Sequence, residues 1–340
     1  MTTKDREAFI DDLVANNFTT FFAVTHPKYA TGNKAYRFTP APVSRAVPHG
    51  WKYAETRARL FELGALLTVE EAERRNINFV NPTLRDYMPA ATLPTLRGGI
   101  QLLLPGEQAH THRHSANAFR FVLEAPDEGV YTVVEGVKVP MRPGDLVLTP
   151  NWTWHDHHND SDTHAIWYDG LDVLMAFFVG GVFSDEYQDV EGTPYRGEGS
   201  TTATLDDFYF PYSTARERLQ QLQHQGAGTD YDGVLLEYVH ARTGNTTFPS
   251  MGNALRLVPG KTTLRPKHRA ENVVFITFEG SVTFHLPEGR TVRTEPFDVT
   301  AVPSWVPYSI ENTEREPSVL FSNTDRPLFE KLGFYREAEL

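Results

Sequence analysis

At 340 residues, with 40% hydrophobic and 22% charged side chains, the chain is long enough to bury two packed cores and polar enough to be globular. A net charge of −12 with no run of Lys or Arg argues against a nucleic-acid partner, and the lack of cysteine excludes disulfides, thiolate metal sites and cysteine nucleophiles. No apolar stretch reaches the roughly 20 residues that span a bilayer, and the charged opening MTTKDREAFIDDL has no signal-peptide core, so a cytoplasmic protein without a membrane partner is expected.

Residues 4–16 (KDREAFIDDLVAN) predict a short amphipathic helix, and residues 54–64 and 69–76 predict two more. Thr68 and Glu71 have the capping-box spacing that starts the last of these. Frequent Pro and Gly between residues 27 and 50 predict an irregular stretch, so residues 1–85 read as an N-terminal helical arm. From residue 86 to 182 the pattern changes to short apolar runs between turns: GIQLLLPGE, FRFVLEA, VYTVVEG, GDLVLTP and HAIWYDGLDVLMAFFVGG. Such runs indicate an all-β sandwich or barrel. Residues 183–240 read as a polar linker with one helix, STARERLQQLQHQ, ended by Gly226. Strand patterning resumes over residues 241–340 in ALRLVPG, NVVFITFEGSVTFHL, FDVTAVP and SVLFSNT.

The two β regions repeat each other. Pro105-Gly106 aligns with Pro259-Gly260, FRFVLEAP with VVFITFEG, and TPNWTWH with VPSWVPY, at a period of about 153–154 residues. The expected fold is therefore all-β, with two β-barrel domains from an internal duplication.

Chemistry concentrates in the first repeat. Gly106 is followed by five residues and then His112-Arg113-His114. Two histidines at i and i+2 on a strand project from one face, where both imidazoles converge on one ion. His155 follows in a second run with Gly144, Pro150 and Asn159, and an adjacent strand would bring it to the same point. Together these residues resemble the two-part motif of the cupin superfamily, whose domains are jelly-roll barrels. Two departures matter. Ala118 and Phe119 stand where that motif carries a Glu ligand, and Trp152 stands in place of a Gly. The predicted site is thus a three-histidine metal site of His112, His114 and His155. The alternative, a metal-free cluster inside the barrel, fits poorly with three histidines at ligand spacing in a chain of 13.

Imidazole suits Zn, Fe, Ni and Cu alike. A tris-imidazole site leaves the charge of a dication uncompensated and so favours an anionic, bidentate ligand. An octahedral ion held on one face keeps positions for a carboxylate, an adjacent phenolate and O2. The second repeat has lost the motif: Pro266 and Tyr308 stand where His112 and His155 do, and only His268 remains. It reads as structural.

Longer runs narrow the resemblance. AERRNINFVNPTL (72–84), QLLLPGEQAHTHRHSANAFRFVLE (101–124), GDLVLTPNWTWHDHHND (144–160), WYDGLDV (167–173) and FSNTDRPLFEKLGFYRE (321–337) resemble the gentisate 1,2-dioxygenase family. That family includes salicylate, 5-nitrosalicylate and 1-hydroxy-2-naphthoate dioxygenases. The resemblance implies a homo-oligomeric, tetrameric bicupin enzyme with Fe(II) at the three histidines. It would use O2 to open a salicylate-type acid between its carboxyl- and hydroxyl-bearing carbons. Arg120 then matches the residue that pairs with the substrate carboxylate, and guanidinium suits that role. His157 matches a histidine that bonds substrate or oxygen and moves a proton. Gln101 matches a pocket glutamine, Asp169 an acid that orients its neighbours, and Trp152 is a candidate for lining the ring cavity. Arg97 departs from the family, which carries an aromatic residue there. A pocket-facing cation at that point favours a polar or electron-rich ring substituent, which counts against plain gentisate and makes a 5-substituted salicylate such as 5-nitrosalicylate a serious candidate beside it. A Zn isomerase and a sensory cupin that binds a small aromatic acid are the competing readings.

Overall fold

The computed structural model describes residues 3–26, 39–86, 88–187 and 202–340. The chain divides into two compact units, residues 1–43 and residues 44–340. The first holds helices α1 (Thr3–Ala15) and α2 (Phe21–Thr25), the latter capped by the Thr20 hydroxyl, which accepts the Ala23 N–H. Much of the stretch expected to be irregular, 27–38, lies outside the described residues, and 39–48 carry neither helix nor strand.

The second unit opens with β1 (His49–Trp51), α3 (Tyr53–Leu66) and α4 (Val69–Ala72). The capping box of Thr68 and Glu71 is formed, but α4 is shorter than its pattern suggests. Glu73 takes a left-handed conformation (φ 53°), and the chain turns into β2 (Asn76–Asn78).

Ten further strands build the first half of the sheet structure: β3 (Arg97–Leu103), β4 (Gln108–His114), β5 (Ala118–Glu124), β6 (Val130–Val134), β7 (Val137–Pro140), β8 (Leu146–Thr149), β9 (His155–Asn159), β10 (Ala165–Leu171), β11 (Ser184–Glu186) and β12 (Tyr209–Phe210). They form a six-stranded sheet in the order β12–β8–β5–β10–β3–β2 and a five-stranded sheet in the order β11–β4–β9–β6–β7. The apolar run after β10 does not continue as strand. It turns into α5 (Val173–Phe178), which leaves Phe177 and Phe178 exposed. Helix α6 (Tyr212–His224) fills the connection, and Gly226 just beyond it is left-handed at φ 71°.

The second half follows the same plan, with β13 (Val234–Glu237), β14 (Gly252–Val258), β15 (Thr262–Thr263), β16 (Lys267–Arg269), β17 (Val273–Glu279), β18 (Val282–His285), β19 (Thr291–Thr294), β20 (Val299–Val302), β21 (Ser309–Asn312), β22 (Ser318–Thr324), α7 (Arg326–Lys331) and β23 (Glu337–Glu339). Its large sheet runs β1–β20–β17–β22–β14–β13 and its small one β15–β21–β18–β19. The order β20–β17–β22–β14 repeats β8–β5–β10–β3, so the duplication read from the sequence is present as topology. The early strands β1 and β2 and the connecting strands β12 and β13 cover the edges of the two large sheets, which would otherwise be templates for association. Among the described residues each half carries one large and one small sheet, the double-sheet form of a jelly roll, and β16 pairs separately with β23 as a two-stranded ladder.

Three cores follow from strand alternation. Val122, Val147 and Trp167 meet Val130, Val134 and Val139 inside the first sheet pair. Phe275 and Leu320 meet Phe284 and Ile310 inside the second. The other faces of the two large sheets pack on each other, with Phe121 and Phe321 stacked at 4.1 Å between ring centroids. Strand β5 is therefore buried on both sides, which is why its sequence reads as nearly unbroken apolar residues around a single Arg120. No helix of the described residues is long and apolar enough to cross a membrane.

Candidate metal centre

His112 and His114 lie at the end of β4 and His155 starts β9, and the two strands pair. Pairing runs from Gln108–His158 and Ala109–His157 through a bulge to His112–His155. The bulge gives β4 three steps where β9 makes two, which re-aims the chain so that both His112 and His114 face His155. Thr111, within the bulge, points to the other face, where its hydroxyl donates to Asp156 Oδ2 at 3.0 Å.

The three imidazoles offer ligand atoms all within 4.8 Å of one another. Each is oriented by a backbone carbonyl. Nδ1 of His114 meets Ala116 O at 2.8 Å, Nδ1 of His155 meets Thr153 O at 2.9 Å, and Nδ1 of His112 meets His110 O at 3.2 Å. A carbonyl accepts only from an N–H, so at His114 and His155 this contact fixes the proton on Nδ1 and turns Nε2 to the centre as a ligand, while at His112 the Arg74 guanidinium also lies against both ring nitrogens. Nε2 of His155 is buried without a hydrogen-bond partner, as a metal ligand would be in the absence of its ion. Burial pushes His112 down to about 2 and His114 to about 4, with the positive charges of Arg74 and Arg120 adding to the effect. His155 is also lowered well below its ordinary value, first by burial. The donors are thus neutral imidazoles at any ordinary pH. Three neutral nitrogen donors fit a divalent ion of the Fe, Zn, Ni or Cu type.

Register places the other predicted residues on the inner face of the large sheet. Gln101 stands opposite Trp167, and Trp167 opposite Val122. In the next row Asn78, Gly99, Asp169 and Arg120 are neighbours across four strands. In the row beyond, Arg97 stands opposite Leu171 and Leu171 opposite Ala118. Arg120 is fully enclosed. Its Nη1 donates to Thr149 Oγ1, while Nε lies 3.4 Å from Asp169 Oδ1 without hydrogen-bond geometry and has no other partner. Burial pulls Arg120 down to about 10 and raises Asp169, and each charge partly offsets the shift of the other. Asp169 also accepts the Trp167 indole N–H at 3.0 Å. His157, two residues beyond His155, is 0% exposed, and neither of its ring nitrogens has a partner. Burial and then Arg120 hold it neutral.

Trp152 stands apart from this group. It is 36% exposed and packs on Phe183 and the Arg113 guanidinium. Its backbone keeps the left-handed conformation (φ 61°) that the glycine of the cupin motif would take, and Trp305, its counterpart in the second repeat, does the same at φ 66°.

One residue of the site has no signal in the spacing of the histidines. Arg74 reaches from the turn between α4 and β2 to lie 3.0 Å from Nε2 of His112 and 3.3 Å from His110 O. The Arg-Arg pair at 74–75 was the only hint, and its neighbour Arg75 is spent on an ion pair with Glu107.

At the matching place in the second half the polar groups satisfy each other. Arg269 bonds both oxygens of Asp232 and donates to Tyr308 Oη, Arg256 bonds Asp232, and Nδ1 of His268 meets Trp305 O at 2.8 Å.

The duplicated double-sheet fold and the inward histidine triad define a metal-type bicupin. Residues 99–174 match the family model described as a cupin domain. The chain is 32% identical to gentisate 1,2 dioxygenase 1 of Aquipseudomonas alcaligenes, over 99% of its own length and 97% of the relative's. It is 33% identical to 1-hydroxy-2-naphthoate 1,2-dioxygenase of Nocardioides sp. over 88% and 80% of the two chains. It superposes on salicylate 1,2-dioxygenase from Pseudaminobacter salicylatoxidans with a TM-score of 0.85 and 30% identity over 99% of both chains, and on the adduct of that enzyme with gentisate at 0.83. The chain belongs to the gentisate 1,2-dioxygenase family of ring-cleaving dioxygenases.

Proposed function

We propose that the protein is an Fe(II)-dependent dioxygenase that uses O2 to open a salicylate-type aromatic acid, gentisate or a 5-substituted salicylate, between its carboxyl- and hydroxyl-bearing carbons. The observation that carries this reading is the histidine triad, with His155 buried, beside an enclosed arginine whose Nε has no hydrogen-bond partner. The names of the relatives support the substrate class.

His112, His114 and His155 would hold the ion, which when bound supplies a chelation point for carboxylate and phenolate and the redox capacity that links ring and O2. Arg120 pairs with the carboxylate of the substrate through its guanidinium, which fixes the ring in one orientation. Asp169 holds that guanidinium in place. His157, neutral and unpartnered, is set to take a proton from the phenol as the substrate docks, and to return one to the opened product. Gln101 offers an amide on the same face. The apolar row of Trp167 and Val122 keeps water from the ring.

We assign this chemistry to residues 86–182 and a structural role to residues 241–340. Assembly of a cytoplasmic homotetramer belongs to the same reading, and the exposed Phe177, Phe178 and Val179 support self-association. The test is oxygen uptake by Fe(II)-loaded protein offered gentisate, salicylate, 5-nitrosalicylate and 1-hydroxy-2-naphthoate. Uptake with at least one, matched by loss of aromatic absorbance, is expected. Tight binding of these acids with no uptake would replace the enzyme by a sensory cupin.

A further inference from the structure

We infer that Arg97 forms a second anion subsite, and that this site takes a salicylate-type acid bearing a further carboxylate on its ring. The inference rests on the ring-cleavage reading above and goes beyond it by naming what the ring carries.

Arg97 faces inward by register. It lies two and four residues from Gly99 and Gln101 on β3, so all three share the face that carries Arg120 and Asp169. Its neighbours in its own row are Leu171 and Ala118, which offer a guanidinium nothing polar. Among the described residues the carboxylate whose charge acts on Arg97 is Asp169, and Asp169 already serves Arg120. Arg74 is different, because Glu73, Glu186 and Asp156 compensate it as well as Asp169. Arg97 and Arg120 therefore share one buried carboxylate beside a site built for a dication. A salicylate that chelates as carboxylate and phenolate offsets the ion and leaves a cationic excess at the arginines. A buried charge without a counter-charge is costly, and a second carboxylate on the ligand removes that cost.

Gly99 stands in the row of Asn78, Asp169 and Arg120, and a Cβ there would come within 2.7 Å of Ile77 O and 3.3 Å of the Asn78 side chain. Backbone and Asn78 already fill the place of that Cβ, so Gly99 puts no side chain of its own beside Arg97. The Asn78 side-chain oxygen, buried and without a hydrogen-bond partner, lies beside Gly99. Arg97 and Arg120 are two strands apart across the sheet and one row apart along it, so their Cα atoms are on the order of 12 Å apart. Two arginines at that spacing can reach inward to two carboxylates placed 1,3 on one benzene ring. A hydroxyl or nitro group would leave Arg97 without a counter-charge.

The test is anaerobic calorimetry of the Fe(II) protein with 4-hydroxybenzene-1,3-dicarboxylate and with salicylate, followed by oxygen uptake with both. Wild-type protein should bind the dicarboxylate roughly ten- to a hundredfold more tightly, the worth of a hydrogen-bonded charge pair. Arg97→Gln should collapse that ratio, and Arg97→Lys should restore part of it. The inference is overturned if the wild-type protein binds the dicarboxylate no better than salicylate. It is equally overturned if Arg97→Gln weakens both acids by the same factor, as a purely structural role would. A preserved preference for the dicarboxylate without oxygen uptake would instead remove the ring-cleavage reading and leave the anion subsite standing. Uptake with an unchanged ratio in Arg97→Gln would do the reverse.

Discussion

His155→Ala is expected to lose ring-cleaving activity by on the order of 10³-fold or more in kcat/KM, since even removing a group that merely orients a ligand costs about 10–100-fold. The side chain is fully enclosed and its Nε2 has no other role in the fold. Metal analysis should show that the variant retains little iron, while circular dichroism shows an intact sheet structure, because the histidine belongs to none of the three apolar cores. The same titration on wild-type protein carries a sign. Burial lowers the triad below the ordinary histidine range, with His114 at about 4, so protons compete with the ion only in acid. Metal uptake at about pH 6 should therefore equal uptake at about pH 8, whereas an exposed triad near its ordinary value of 6.5 would already have lost ground. Retention of one iron per chain by His155→Ala would move the metal elsewhere.

Arg120→Ala is the second large effect. Truncating one member of an enclosed charge pair costs about 2–5 kcal/mol, so kcat/KM for a salicylate-type acid should fall roughly 10²-fold or more. The loss has two parts. The substrate carboxylate loses its clamp, and Asp169 is left buried without its nearest cation. Asp169, already raised by burial, then takes up a proton more readily. Arg120→Lys keeps the charge but not the fork and should recover only part of the rate. Iron content should stay at the wild-type level in both variants, which separates clamping from metal binding. Steady-state kinetics that show an unchanged kcat/KM with full iron would place the substrate carboxylate elsewhere.

These two expectations differ in how openly the chain announced them. The triad was legible because i and i+2 on a strand is a short-range pattern, and because the duplication supplied a second copy in which Pro266 and Tyr308 show the loss. The bulge that makes the pattern work was not legible, since an extra residue in a strand leaves no compositional trace. The doubling of the sheet plan followed from the repeat. The edge strands β1 and β2 did not, because strands of three residues are too short for periodicity to declare. Two boundaries moved for local reasons: α4 stops at Ala72, where Glu73 turns left-handed, and the apolar run after β10 folds as α5. Arg120 could be placed from strand parity, as could Arg97. Arg74 could not, because its approach to His112 depends on a turn 38 residues earlier in the chain. Trp152 shows the opposite case. Its place in the motif pointed inward, yet the left-handed backbone it shares with Trp305 carries its ring to Arg113 and Phe183.

An aromatic acid is expected to chelate an iron held by His112, His114 and His155. Anaerobic addition of gentisate or salicylate to protein of known iron content, followed by absorption spectroscopy, tests it most directly. A new charge-transfer band that saturates at one acid per iron is predicted. An unchanged spectrum, with iron present and the acid shown by calorimetry to be bound, would contradict direct chelation.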